Sequence, residues 1–349
     1  MKNLFIILTV FLFSTVSAQE YRVQVLPENS KLWGYANEKG ELLIAPQFKK
    51  CFEFSENGTA PVYDPKTREH TFIRKDGASI TPERSGFVLM NLFGLGLKGY
   101  SDGLAAVSYS KKWGFIDEQG KIVIAPQYDK VTRFTEGYAV ATLGTDHFIL
   151  TKSGDTTRIN SVQAATIKAF SEGLAAFRLE DGKVGFLNEK GKVHIAPSFK
   201  SAGDFSAGLA WAKTEEGKVG FINKKGEWVI QPLFDAAHEF SVESKLARVK
   251  QGANWSYVQP DGKLITPENV KSCGDFSNGL AYAKTTEGLV GFINEKGEWA
   301  IPAQFESTHE FNCEYASVKS NGKWGIIDKK GNWICPPQFL NMKKVIRIQ

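Results

Sequence analysis

The sequence predicts an all-β chain of tandem three-stranded antiparallel meanders, stacked as an open solenoid or superhelical array, with a closed β-propeller as the alternative. Three observations carry this. A Gly-aromatic-Ile-Asp/Asn-x-x-Gly string recurs at a near-constant interval, a Phe-Ser-x-Gly-Leu-Ala block lies between successive copies, and a proline keeps one phase behind eight of the nine copies. No long segment has the 3.6-residue apolar period and end caps of an amphipathic helix.

Composition agrees. The 349 residues are 42% apolar, 12% aromatic and 23% charged, enough apolar surface for a well-buried core rather than a disordered chain. The net charge of +5 is small and scattered, with no basic stripe for nucleic acid. Four cysteines are too few for a disulfide-built scaffold.

Residues 1–18 read as an address. Lys2 precedes an apolar run over 4–13, and Val16-Ser17-Ala18 is a small-x-small cleavage site before Gln19. The run is too short to span a bilayer as a helix, and no cysteine near the cut offers a lipid anchor. The expected product, cut near Ala18, is exported: periplasmic, at the outer surface or secreted.

Residues 19–32 then form a lead-in or cap, and 33–349 hold nine repeats. The first glycine follows a tryptophan at Trp33-Gly34, Trp113-Gly114 and Trp324-Gly325 and a valine before Gly185, Gly220 and Gly291; Ser256 replaces it after Trp255. A second glycine falls six residues later, at Gly40, Gly120, Gly191, Gly226, Gly262, Gly297 and Gly331, with degenerate copies ending at Gly77 and Gly154. Successive second glycines are 34 to 43 residues apart, the longest interval containing an atypical insertion at 83–99.

This pattern resembles the WG-repeat (KWG) family, found largely in bacterial proteins, over about 31–339. The resemblance implies a β-rich repeat module with little assigned chemistry. The chain departs from the pattern at Val184, Val219 and Val290 in place of tryptophan, at Ser256, and in the second copy, which lacks both residues.

Each unit explains itself locally. Leu104-Ala105-Ala106-Val107-Ser108-Tyr109 and Lys112-Trp113-Gly114-Phe115-Ile116-Asp117 are β-prone runs joined by a tight polar connection, elsewhere Asp-Gly or Asn-Gly. Asp117-Glu118-Gln119-Gly120 is a second turn, and Lys121-Ile122-Val123-Ile124-Ala125 a third strand that Pro126 confines to an edge. A short fourth strand falls around 128–131. The glycine of each Trp-Gly pair leaves room for an aromatic neighbour over its backbone. A single meander has little core, so it must lean on its neighbours.

Candidate chemistry is thin. Gly94-Leu95-Gly96-Leu97-Lys98-Gly99 matches a dinucleotide fingerprint but runs into the repeat's own turn rather than a helix. His238 and His309 share one phase two repeats apart, too far for one metal site. Asn37, Asp117, Asn188, Asn223, Asn294 and Asp328 read as turn-formers, not as a row of catalytic acids. Cys51, Cys273, Cys313 and Cys335 read as small buried residues, with a Cys273–Cys313 bridge as the alternative. Trp228, Trp299 and Trp333 alternate with aliphatics at their position and read as core. Trp211 and Tyr282, which alternate with alanine, are the candidate stacking surface for a ligand. No cofactor or metal is implied.

The expected function is therefore a non-enzymatic exported repeat protein, a binding or scaffold surface for a protein partner or envelope component. The alternative is a carbohydrate- or peptidoglycan-binding module, marked by coplanar, solvent-facing Trp211 and Tyr282. A third reading is a hydrolase with two carboxylates in a cleft near 83–99.

Overall fold

The computed structural model describes residues 19–66, 69–89 and 99–348. The address segment 1–18 and glycines 94 and 96 of the fingerprint lie outside the described residues.

The paired runs of each repeat do form hairpins. Leu209–Lys213 and Val219–Asn223 run antiparallel with Trp211 opposite Phe221, joined by a turn in which Gly217 takes φ +88°. The amide of Gly226 then donates to the Asn223 carbonyl at 2.9 Å, and the Asn223 side chain accepts the amides of Lys225 and Glu227. That double capping is why Asp or Asn opens this turn in six of the nine blades, Arg74, Thr151 and Gln259 standing there in the other three. Trp228–Phe234 follows as the third strand.

A fourth strand, two residues long, completes the unit. Ser201–Ala202 pairs with Lys213 and Ala212, on the far side of the hairpin from Trp228–Phe234. The expected three-stranded meander is thus corrected to a four-stranded blade. Nine such blades follow one another among the described residues: blade 2 spans 50–80, blade 3 88–128, blade 4 130–158, blade 5 166–199, blade 6 201–234, blade 7 236–265, blade 8 272–305 and blade 9 307–339. Within the stretch 83–99, Val88–Leu89 supply the inner strand of blade 3.

Blade 1 takes strands from both ends of the chain. Glu20–Leu26, Trp33–Ala36 and Leu42–Phe48 are joined by Asn341–Met342, which pairs with Val25 and Leu26, and by Ile346–Ile348, which pairs with residues 20–22. The residues expected to be a lead-in are therefore part of a shared sheet. This closure overturns the open solenoid: the fold is a nine-bladed β-propeller. Nine buried clusters match it, each shared by two consecutive blades, the last joining blade 9 to blade 1. A ring leaves no end blade with a bare apolar face, as an open array would.

The two sequence blocks meet across these seams. The aromatic after the first glycine packs on the phenylalanine or tyrosine of the next blade's Phe-Ser-x-Gly block: Phe115 on Phe134, Phe186 on Phe205, Phe221 on Phe240, Phe292 on Phe311. Tyr35–Phe54, Phe72–Tyr100 and Tyr257–Phe276 do the same, all seven with centroids 4.6–4.9 Å apart. Tilted and edge-on pairs of this kind add about 1 kcal/mol each beyond their buried area.

The first glycine has a further reason beyond the one expected. An aromatic reaches it in only two blades, Phe177 at Gly185 and Trp333 at Gly325, whereas the outer strand of its own blade covers it in all six. A β-bulge brings that strand's backbone so close that a Cβ at Gly34, Gly114, Gly185, Gly220, Gly291 or Gly325 would lie within 2.6 Å of its carbonyl oxygen. The three blades without this glycine have no such bulge. Thr71, Phe148 and Ser256 stand there in blades 2, 4 and 7, whose outer strands shrink to Ser79–Ile80, Thr156–Arg158 and Leu264–Ile265. Ser256 uses the freed space to hydrogen-bond Thr266 at 2.7 Å. Glycine and bulge thus come and go together.

Candidate functional site

The first, two-residue strand of each blade lies nearest the axis, and in blades 3 to 6 and blade 8 the turn after it carries Ser-x-Gly or Thr-x-Gly. These turns rim a central cavity of about 1050 Å³. In blades 3 to 6 the turn hydroxyl donates to the next blade's Phe carbonyl: Ser101 to Phe134, Thr135 to Phe170, Ser171 to Phe205 and Ser206 to Phe240, at 2.6–2.8 Å. Asn312 closes the ring by donating to Val345 of blade 1.

In six blades the next residue of the turn adopts a left-handed backbone, φ 51–58° at Asp102, Glu136, Glu172, Ala207, Asn278 and Cys313. Three of these side chains are committed to the seams. Asp102 accepts the Gly137 amide and pairs with Lys152; Glu136 accepts the amides of Glu172 and Gly173; Glu172 accepts Gly208 and pairs with Lys224. Partial burial pushes the Asp102 carboxyl up, but Lys152 and the Gly137 amide outweigh it and hold the group below its ordinary value. This acidic arc is structural.

The uncommitted charges lie beside it. Glu53, Glu56, Glu243, Arg133 and Arg347 line the cavity, and among the described residues none of them takes part in an ion pair. Arg133, Glu243 and Arg347 escape repeat analysis because each breaks the phase pattern, whereas Glu53 and Glu56 keep repeat positions and are hidden among like residues.

Trp211 and Tyr282 occupy one cross-strand slot against the inner strand. Gly203 donates its amide to Trp211, and Gly274 to Tyr282, both at 2.9 Å, and a Cβ on either glycine would collide with the ring. Other blades fill the same slot with Lys168 and Ala176, or His309 and Ser317. One large and one small residue share each slot, so alanine opposite a longer side chain and tryptophan opposite glycine are equivalent packings. Both rings are half-buried, on blades 6 and 8. Between them blade 7 places Arg248, whose guanidinium lies 4.7 Å over Trp255, donates Nε to Asp275 at 2.9 Å and reaches His238. The structure does not bring Trp211 and Tyr282 together.

The remaining candidates are structural. Trp228 and Trp333 pack edge-on to Phe199 and Phe305 of the preceding blades, and Trp299 joins the blade 7–8 cluster. The expected core position is corrected: Trp228 and Trp299 are half-buried and Trp333 is 40% exposed, because each ring lies over the seam from the outer strand. All four cysteines are free, so Cys273 and Cys313 form no bridge. Burial pushes the Cys51 thiol up to about 12 and raises Cys273 and Cys335, the opposite of a nucleophile.

His309 stacks on Trp324 and donates Nε2 to the Met342 carbonyl at 3.0 Å, across the seam that closes the ring. Burial lowers its pKa below the ordinary value, with the Met342 bond opposing. The unfolded chain therefore takes up this proton first as pH falls, so the contribution is full above about pH 6.5 and is lost as acidity passes below it. The melting temperature should fall more between pH 7.5 and pH 5 in the wild type than in His309→Gln, which keeps a donor for Met342. Equal falls by scanning calorimetry would refute this.

Comparison with solved structures supports the fold. A eukaryotic initiation factor superposes with a TM-score of 0.61 at 9% identity, over 94% of this chain and 98% of that one, a likeness of fold alone. The computationally designed Ika8 protein aligns over 89% of this chain and 96% of its own, at 11% identity and a TM-score of 0.44. PorZ, a surface component of the type-IX secretion system of Porphyromonas gingivalis, aligns over 90% and 50%, at 11% identity and a TM-score of 0.35. Neither of these two carries further argument. No curated protein matches the sequence. The family model described as WG containing repeat matches residues 33–63, 113–144, 185–218, 220–255, 255–287, 291–324 and 324–341, more than half of the chain. With the glycine, the bulge and the seam aromatics accounted for, the chain belongs to the WG containing repeat family.

Proposed function

We propose that this chain is an exported, non-enzymatic binding scaffold that holds a polypeptide partner against the turn face of the propeller. The observation that carries this is the cavity mouth, where Glu53, Glu56, Glu243, Arg133 and Arg347 stay uncommitted while the carboxylates of Asp102, Glu136 and Glu172 are spent on the seams. A mixed-charge rim favours a partner segment of complementary charges and tunes its rate of encounter. Export is supported by the place where strand pairing begins: a cut after Ala18 leaves Glu20–Leu26 of blade 1 whole. Among the described residues no helix is long and apolar enough to cross a membrane. The non-enzymatic reading is supported near 83–99, where Glu83 is tied to the Ile122 amide at 3.0 Å.

Capture from envelope extract of the source cells, followed by cross-linking, tests the reading. The wild type should retain a partner whose recovery drops at least tenfold in Glu56→Gln/Arg133→Gln/Glu243→Gln/Arg347→Gln. Undiminished recovery by that variant would overturn the site. One observation favours carbohydrate or peptidoglycan instead: Tyr282 borders a smaller niche with Thr308 and Glu310. Binding on a glycan array that is lost in Tyr282→Ala would select that second reading.

A further inference from the structure

A pairing rule runs along the channel wall. A donor on one blade answers the carboxylate that precedes the block phenylalanine of the next: Lys168 to Asp204 at 3.1 Å, Trp211 to Glu239 at 3.2 Å, Arg248 to Asp275 at 2.9 Å. The rule lapses around blade 1. Tyr282 of blade 8 makes no hydrogen bond to Glu310 of blade 9, which is taken from the other side by Lys344 at 3.2 Å. Lys343 of blade 1 stands where the donor to Glu53 of blade 2 should be, yet the two form no ion pair. The ammonium of Lys343 instead sits 5.5 Å from the Trp33 ring.

These groups face one niche of about 340 Å³ in the wall. Its volume is at the small end of cavities that hold metabolite-sized ligands. Both Lys343 and Glu53 are exposed, and both charges act on the neighbouring His309, with opposite sign. A cation and an anion held over one niche without meeting are matched by a molecule that carries both complements. Water satisfies each charge singly, whereas one ligand that satisfies both gains a second contact at little further cost in translational entropy.

We propose that this niche binds a small zwitterion, a free amino acid or short peptide, with its carboxylate on Lys343 and its ammonium on Glu53. The Tyr282 ring borders the ligand's middle, and the Glu310–Lys344 pair closes the side. The site shares only Glu53 with the rim proposed for a polypeptide partner, and since the rim variants leave Glu53 in place either reading can fail alone.

Saturation-transfer NMR and calorimetry with the dipeptide Ala-Ala test it on the full mature chain. Ala-Ala should bind, while N-acetyl-Ala-Ala and Ala-Ala amide, each lacking one charge, should bind at least tenfold more weakly. Glu53→Gln and Lys343→Met should each cost at least tenfold, and Lys343→Arg should retain binding; all three replace exposed side chains, and an unchanged melting temperature checks their folding. Arg133→Gln, at the rim, should leave Ala-Ala binding unaltered. The proposal falls if Ala-Ala shows no binding at millimolar concentration, if the blocked dipeptides bind equally well, or if neither Glu53→Gln nor Lys343→Met weakens it.

Discussion

Gly114→Ala is expected to destabilise the protein by about 4 kcal/mol, the size reserved for substitutions that force a packed backbone apart. The new Cβ would stand 2.6 Å from the Pro126 nitrogen and 2.7 Å from the Ala125 carbonyl carbon, and closer still to the Ile124 oxygen. None of these is the free end of a side chain, so relief requires the bulge itself to move. Gly137→Ala is the matched control. It also replaces a repeat glycine, with φ +85°, but a Cβ there meets nothing within 4 Å. It should cost only the left-handed backbone penalty of about 1 kcal/mol. Ser256→Gly, in a blade without the bulge, should lose little beyond its bond to Thr266. Denaturant titration that ranks Gly114→Ala no worse than Gly137→Ala would refute the bulge explanation.

Removal of residues 341–349 should open the ring. That segment supplies the inner strand of blade 1 and the Ile346–Ile348 pairing along Glu20–Leu26. It also contributes Met342 and Val345 to the blade 9–1 cluster and Ile348 to the blade 1–2 cluster. Without it Tyr21, Val23 and Val25, all buried in the closed ring, face water across a bare sheet edge. The intact mature chain should scatter as a compact body with a radius of gyration of about 20 Å. The truncated chain should be several ångströms larger or self-associate, and should melt at least 10 °C lower. Small-angle scattering and calorimetric traces that coincide for the two chains would contradict closure by this segment.

Both expectations turn on features of unequal visibility. Asp117 and Gly120, or Asn223 and Gly226, announce their turn because all of its hydrogen bonds close within five residues. The seam aromatics were visible as two phased blocks, though not as partners: Phe115 and Phe134 belong to separate local motifs and meet only when blades stack. The reason for the first glycine was not legible, since a Trp-Gly pair looks the same whether a ring or a bulged strand covers it. Trp211 and Tyr282 stood out for size, and only the facing glycines show that they fill a shared slot. Arg133 was hidden by the search for repetition itself, because it departs from the acidic residue found at its position in several blades, while Glu53 and Lys343 keep repeat positions and only the missing ion pair sets them apart.

By itself the sequence determined an all-β chain, nine units, their turns and most of their strands, because those depend on residues within one hairpin of each other. Tertiary structure alone decided that the array closes. The two-residue inner strands are too short to show an apolar alternation, and the pairing of Glu20–Leu26 with Asn341–Met342 joins the two ends of the chain. No local pattern encodes that contact; it forms because a ring buries the last two apolar faces that an open stack would leave in water.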